Sequence, residues 1–183
     1  MVLPDHQIRR LAKEQGMIEP FSEPVSGKVI SYGISSFGYD MRLAEEYRVY
    51  RPAAGRIADP KQARPEDFYE FKGPVLELPG LTFCLGCSFE YFRIPRNLIT
   101  ICTGKSTYAR CGVLVNVTPL EPEWEGHVTM QIVNTTPAPV RVYSHEGIAQ
   151  VLFLEGAQLP EVSYADKGGK YQKSQGIVFS KTG

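Results

Sequence analysis

From Val75 onward, apolar and polar residues alternate with the period of two expected of strands that bury one face. The clearest case is His127-Val128-Thr129-Met130-Gln131-Ile132-Val133-Asn134. There Val128, Met130 and Ile132 share one face, and Thr129 and Gln131 the other. The aromatic-rich Thr82 to Phe92, then Leu98 to Cys102, Val113 to Thr118, Val140 to Tyr143 and Ile148 to Leu154, are further strands between Gly, Pro and Asn turns. Ahead of them, Tyr39 to Leu43 and Tyr47 to Tyr50 are two short strand candidates. Helix is minor. Asp5 is placed to cap a helix over His6 to Gln15, with Ile8 and Leu11 as a narrow apolar face and Gly16 as its stop. Ser106 to Cys111 has room for only a helical turn or two. Pro20 to Ser36 and residues 51–68 read as loops. Short strands at this spacing predict a mainly β fold, a sandwich or barrel, in a single domain over residues 1–183. The tail from Gly156 to Gly183 breaks the pattern, with little apolar content before Ile177-Val178-Phe179. Composition alone favours an unanchored terminus there over a lid that orders on a ligand.

A length of 183 residues suffices for one domain with a real core. Twenty Lys+Arg balance twenty Asp+Glu, so the chain has no electrostatic footprint for nucleic acid or an anionic membrane. Phosphate binding, if present, is the work of a few placed cations. No apolar stretch is long enough to span a bilayer, and Met1 to Arg10 lacks the apolar core of a signal peptide. A cytoplasmic location is expected, with Cys84, Cys87, Cys102 and Cys111 reduced.

Thr103-Gly104-Lys105-Ser106-Thr107-Tyr108-Ala109-Arg110 puts a glycine, two cations and two hydroxyls on one short turn, a combination suited to phosphate. Ile99 stands where a P-loop needs its first glycine, which removes that reading. A surface turn with ordinary charges remains the alternative. Cys84-Leu85-Gly86-Cys87 invites zinc. However, Phe83 rather than proline precedes it, no H-x-E motif accompanies it, and the odd spacing sends the two thiols to opposite faces of a strand. Buried small hydrophobes, without zinc, are expected there. His6, His127 and His145 are scattered and define no triad. Trp124 reads as a core anchor beside a turn.

Several longer segments are informative together. Gly104-Lys105-Ser106-Thr107-Tyr108-Ala109-Arg110-Cys111-Gly112, Val117-Thr118-Pro119-Leu120-Glu121-Pro122-Glu123-Trp124-Glu125-Gly126-His127 and Glu146-Gly147-Ile148-Ala149-Gln150 closely resemble the dCTP deaminase family. Gly38-Tyr39-Asp40-Met41-Arg42-Leu43 and Glu90-Tyr91-Phe92-Arg93-Ile94-Pro95 add to the likeness, which runs nearly the whole chain in order. The resemblance implies a dUTPase-like β-clip, a distorted barrel with short helices. It implies a homotrimer with active sites between subunits, and residues 156–183 as a lid. The implied reaction is hydrolytic deamination of dCTP to dUTP and ammonia, without zinc. Mg2+ would ride on the triphosphate, and dTTP is a candidate inhibitor.

By the same resemblance, Lys105, Ser106 and Thr107 contact phosphate, in a run that includes Tyr108 and Ala109. Ser106 and Arg110 form a supporting catalytic pair, and the backbone at Thr118 and Pro119 holds the water. Glu121 contacts the deoxyribose. Thr129, Met130, Gln150, Tyr164 and, in the tail, Lys170 bind the nucleotide. The family's usual tail glutamine is Ser174 here, with Gln175 the nearest substitute.

One departure bears on catalysis. The family's Thr-Leu-Glu is Thr129-Met130-Gln131 in this chain. An amide keeps the shape and hydrogen-bonding capacity of the carboxylate but takes up no proton at neutral pH. Two origins fit: a glutamate exchanged to trap substrate, or a homologue that binds without turnover. The isosteric swap in an otherwise retained site favours the first. Alternative functions on the same fold are a nucleotidohydrolase splitting dUTP, a bifunctional dUMP-forming deaminase, and a non-catalytic dNTP-binding protein.

Overall fold

In the computed structural model, which describes residues 1–181, the alternation around Gln131 becomes a ten-residue strand, Glu125–Asn134. Its even-numbered residues are buried and its odd-numbered ones half-buried. The last two residues of the expected domain and tail, 182–183, lie outside the described residues. In chain order, α1 (Asp5–Gln15) leads into β1 (Ile18–Glu19), β2 (Gly33–Ser35), β3 (Gly38–Tyr50), β4 (Phe68–Lys72), β5 (Val75–Leu78), β6 (Thr82–Arg93) and β7 (Leu98–Gly104). The four-residue α2 (Ser106–Ala109) precedes β8 (Val113–Asn116), β9 (Glu125–Asn134), β10 (Val140–Tyr143) and β11 (Gly147–Glu155).

Hydrogen bonding runs β7-β11-β3-β6-β9-β8, with β1 on β6 and β2 and β4 on β3; β10 and β5 form a separate ribbon. The end strands β7 and β8 meet again across the molecule, so the sheet curls into a nearly closed, distorted barrel. Inward-facing Tyr39, Met41, Tyr47, Phe92, Met130, Ile132 and Phe153 fill it. Burial of such side chains is the main stabilising term, roughly 1.5–3 kcal/mol each.

Three local differences from the sequence expectations have physical causes. The helix begins at Asp5, with Pro4 as its cap residue and no side-chain cap; the Asp5 carboxylate accepts only from the adjacent His6 N–H. Gly16 does end it, in the left-handed conformation at φ 64°. The candidates Tyr39–Leu43 and Tyr47–Tyr50 are one strand, and the polar Glu45 and Glu46 between them lie where the register with β6 shifts. β4 was hidden at the end of the 51–68 excursion, because Phe68–Lys72 lies beside β3 with no residue fully buried.

The cysteines behave as small hydrophobes. Cys84 lies in the core and Cys87 is covered as well, and burial pushes their thiols up to about 12 and about 11. A second bulge shapes the site. Between the pairs Cys87↔Thr129 and Tyr91↔His127, residues 88–90 of β6 face Val128 alone. The ladder leaves the Val128 N–H unpaired, and the Ser88 hydroxyl accepts it at 2.8 Å. The Ser88 carbonyl accepts from His127 Nδ1 at 3.0 Å, so that nitrogen carries the ring proton. Glu90, fully buried on the same bulge, accepts from the Tyr39 hydroxyl at 3.1 Å, the Arg42 N–H at 2.9 Å and Arg42 Nε at 2.7 Å. Burial pushes its carboxyl up, and the Arg42 guanidinium opposes that rise. Tyr32 and Phe89 flank the guanidinium at 4.9 and 4.5 Å.

Candidate active site

β8 pairs only with Gln131–Asn134 of β9, leaving the first half of that strand's outer edge open. The C-terminal tail fills it. The Gln172 side chain donates to the Glu123 carbonyl at 2.8 Å and accepts from the Glu125 N–H at 3.2 Å, imitating a strand residue. Lys173 N–H donates to the Glu125 carbonyl, and His127 N–H to the Ser174 carbonyl. Gly126 and Ser174 form a parallel bridge. At φ 150°, Gly126 is strained for any other residue, and a Cβ there would collide with the Ser174 hydroxyl. Trp124 Nε1 donates to the Tyr171 carbonyl at 3.2 Å. Phe179 reaches Phe68, ring centres 5.2 Å apart. The tail is therefore a packed element, contrary to the unanchored terminus that its composition favoured.

Beneath it lies a cavity of about 970 Å3. Of the residues expected at the site, Thr118, Pro119, Glu121, Thr129, Tyr164 and Lys170 line it. So do Trp124, His127, Lys167, Ser174 and Val178, to which the sequence reading gave no ligand role. Trp124 is buried, as a core anchor should be, but it also holds the tail. Lys167 Nζ pairs with Glu121 at 2.8 Å. Tyr164 carries the tail's turn: its hydroxyl accepts from Tyr171 N–H at 3.0 Å, and Gly169 lies so close to its ring that a Cβ would clash.

The other expected residues stand apart from this cavity. Met130 is buried in the core and offers only backbone. Tyr108 is buried too; its hydroxyl accepts from Tyr143 N–H at 2.9 Å, and burial pushes it up to about 12. Ser106, Thr107, Ala109 and Arg110 are exposed around α2, with Arg110 Nη1 donating to the Ser106 carbonyl at 2.9 Å. Lys105 is held by Asp40 at 2.7 Å, a partner the sequence reading did not assign. Gln150 lies between Asp40 and Thr103 in the sheet and donates to the Ser35 hydroxyl at 3.2 Å. Gln175 is exposed on the tail. Gln131 is half-buried on the outward face of β9, one strand repeat beyond Thr129 and paired in register with Asn116. It sits where β8 ends and the tail begins to cover the strand.

A nearly closed, distorted β-barrel with a cavity roofed by the C-terminal tail along a polar strand face defines a mainly β, barrel-like class of protein. Residues 2–156 match the family described as dCTP deaminase-like. The chain is 54% identical over 183 residues to a dCTP deaminase from Azotobacter vinelandii, covering 97% of each. It is 56% identical over 175 residues to one from Roseiflexus castenholzii, covering 95% of each. It therefore belongs to the dCTP deaminase family. The crystal structure of a 2'-deoxycytidine 5'-triphosphate deaminase from Agrobacterium tumefaciens shares the fold, with a TM-score of 0.66 at 16% identity over 87% of this chain; the chain spans half of that structure's length.

Proposed function

We propose that the cavity under the tail takes dCTP, and that the site is built to deaminate it but lacks its proton carrier. One observation carries this reading: in a chain of this family, Thr129, which lines the roofed cavity, and Gln131, one strand repeat beyond the lining, share the outward face of β9. Deamination converts dCTP and water to dUTP and ammonia. A base takes a proton from water as oxygen adds to C4, and protons then go to N3 and the departing amine. A carboxylate at position 131 serves both transfers. The Gln131 amide hydrogen-bonds the ring and amino group but moves no proton.

Lys105, Ser106 and Arg110 complete such a site when a neighbouring protomer brings them over the cavity. Two features support a homotrimer of this kind. Ser106 and Arg110 face solvent in one chain, next to the largely covered Lys105–Asp40 pair. Ile99 and Ile101 on β7 and Leu114 on β8 expose apolar surface beside them, at 41%, 48% and 57%. Among the described residues no three His, Cys, Asp or Glu side chains gather as a metal set. Lysines rather than carboxylates dominate the tail side of the cavity, which fits Mg2+ held by the phosphates, where it offsets their charge. Inhibition by dTTP and a cytoplasmic location belong to the same reading; no helix among the described residues is long and apolar enough to cross a membrane.

Calorimetric titration with Mg2+ and dCTP tests the proposal. One dCTP per chain is expected to bind, and absence of binding by the folded protein would end the reading. Among the described residues, removing the chain from Lys170 onward deletes only one buried residue, Ser174. It should leave fold and oligomeric state intact and weaken dCTP binding; unchanged affinity contradicts a lid. Arg110→Ala should weaken binding by about tenfold or more, the size of a charge-assisted hydrogen bond. Arg56→Ala, which loses only contacts to Glu66 and Asp67, should leave it unchanged. Equal losses from the two would remove Arg110 from the site.

A further inference from the structure

We infer that Thr129 acts as the peg that sets the height of the tail over the reaction centre, a positioning residue rather than a direct ligand of the nucleotide. Along residues 123–127 the tail follows β9 closely, through backbone groups and the Gln172 amide. Beyond Ser174 it diverges. Gly176, at φ 128°, makes the bend. From there the tail meets β9 through one side chain: Thr129 Oγ1 donates to the Gly176 carbonyl at 3.3 Å and accepts from the Val178 N–H at 3.0 Å.

A hydroxyl has one proton and two lone pairs, so it can serve a carbonyl and an amide at once. Here it does in one group what two backbone groups do in a parallel ladder, but at the length of a side chain. The tail is thereby held away from the strand without being released. The cavity, lined by Thr129, Ser174 and Val178, lies along this divergence. Gln131 stands on the same face of β9 one repeat further, about 7 Å along the strand. The peg thus fixes the roof beside the residue on which the chemistry turns, while its single proton and an acceptor pair are already committed to the tail.

The test has two arms, and only the second rests on the dCTP reading. In the ligand-free protein, Thr129→Val removes both bonds at nearly constant volume. Hydrogen exchange should show a loss of protection at Val178 of about five- to tenfold, the worth of one hydrogen bond. The Lys173 amide, which donates to the Glu125 carbonyl, should stay protected because it does not depend on the peg. Thr129→Ser should restore Val178. Unchanged protection at Val178, or equal loss at Lys173, overturns the inference.

In the second arm, dCTP affinity should fall in Thr129→Val and recover in Thr129→Ser, in step with Val178 protection. Loss of affinity with Val178 still protected would make Thr129 a direct ligand and overturn the peg. Failure of every form to bind dCTP would strike the functional proposal instead, with the exchange result still deciding the peg.

Discussion

Gln131→Glu is expected to raise ammonia release from dCTP by at least roughly 10²–10⁴-fold, the usual contribution of general acid–base catalysis. The exchange changes an amide for a carboxylate of nearly the same shape on a half-buried strand face, so the fold should be indifferent to it. The gain should appear in turnover more than in affinity, because the amide already satisfies the binding hydrogen bonds. Measuring ammonia and dUTP from both proteins decides the matter. A folded Gln131→Glu protein that binds dCTP and still releases no ammonia would show that position 131 is not the proton carrier. Following pyrophosphate from dUTP and dCTP in the same samples separates the deaminase from a nucleotidohydrolase on the same fold. If neither product forms, the non-catalytic dNTP-binding reading gains.

The second large effect is on stability. Arg42→Met is expected to destabilise the protein by about 3–5 kcal/mol, because it strands the fully buried Glu90 without its countercharge. Glu90 anchors the bulge whose Ser88 holds Val128 and His127 at the floor of the cavity, so the damage should reach the site as well. The pH dependence follows from the direction of the shift. Burial already raises the Glu90 carboxyl, and without Arg42 it rises further. The folded variant then keeps its proton to higher pH than the unfolded chain, so it loses stability as pH climbs from the acid side. Denaturant titrations of parent and variant at about pH 5 and pH 8 should show the larger deficit at the higher pH, near and above the ordinary carboxylate range. Adding Glu90→Gln to Arg42→Met should recover part of the loss, since the amide needs no countercharge. A deficit independent of pH, or no rescue, would mean that Arg42 contributes only by packing between Tyr32 and Phe89.

Much of the barrel was legible because one face of each strand is buried: β9 carries the alternation in plain form, and β6, β7 and β11 carry it over part of their length. What escaped did so for identifiable reasons. β4 presents aromatic residues at an edge without a fully buried face, so periodicity gave no signal. The union of two short candidates into β3 depends on a bulge, which polar Glu45 and Glu46 disguise. The tail packs through backbone groups, the Gln172 amide, the Trp124 indole N–H and the Thr129 hydroxyl rather than through an apolar stripe. Composition is blind to contacts of that kind.

The candidate site divides similarly. The residues of Thr118–Glu121 and Thr129 fall around one cavity. The Lys105–Arg110 run does not join them within one chain, and nothing in the local sequence signals that separation. Asp40, beside Lys105, was visible as a residue but not as a partner, because strands β3 and β7 come together only through β11.

The most direct test of the whole account is a crystal structure of this protein with dCTP and Mg2+. The cytosine is expected under the tail with C4 and its amino group beside the Gln131 amide, and the triphosphate against Lys105 and Arg110 of a neighbouring protomer. A dCTP molecule seated elsewhere, or bound here with its base turned away from Gln131, would contradict it.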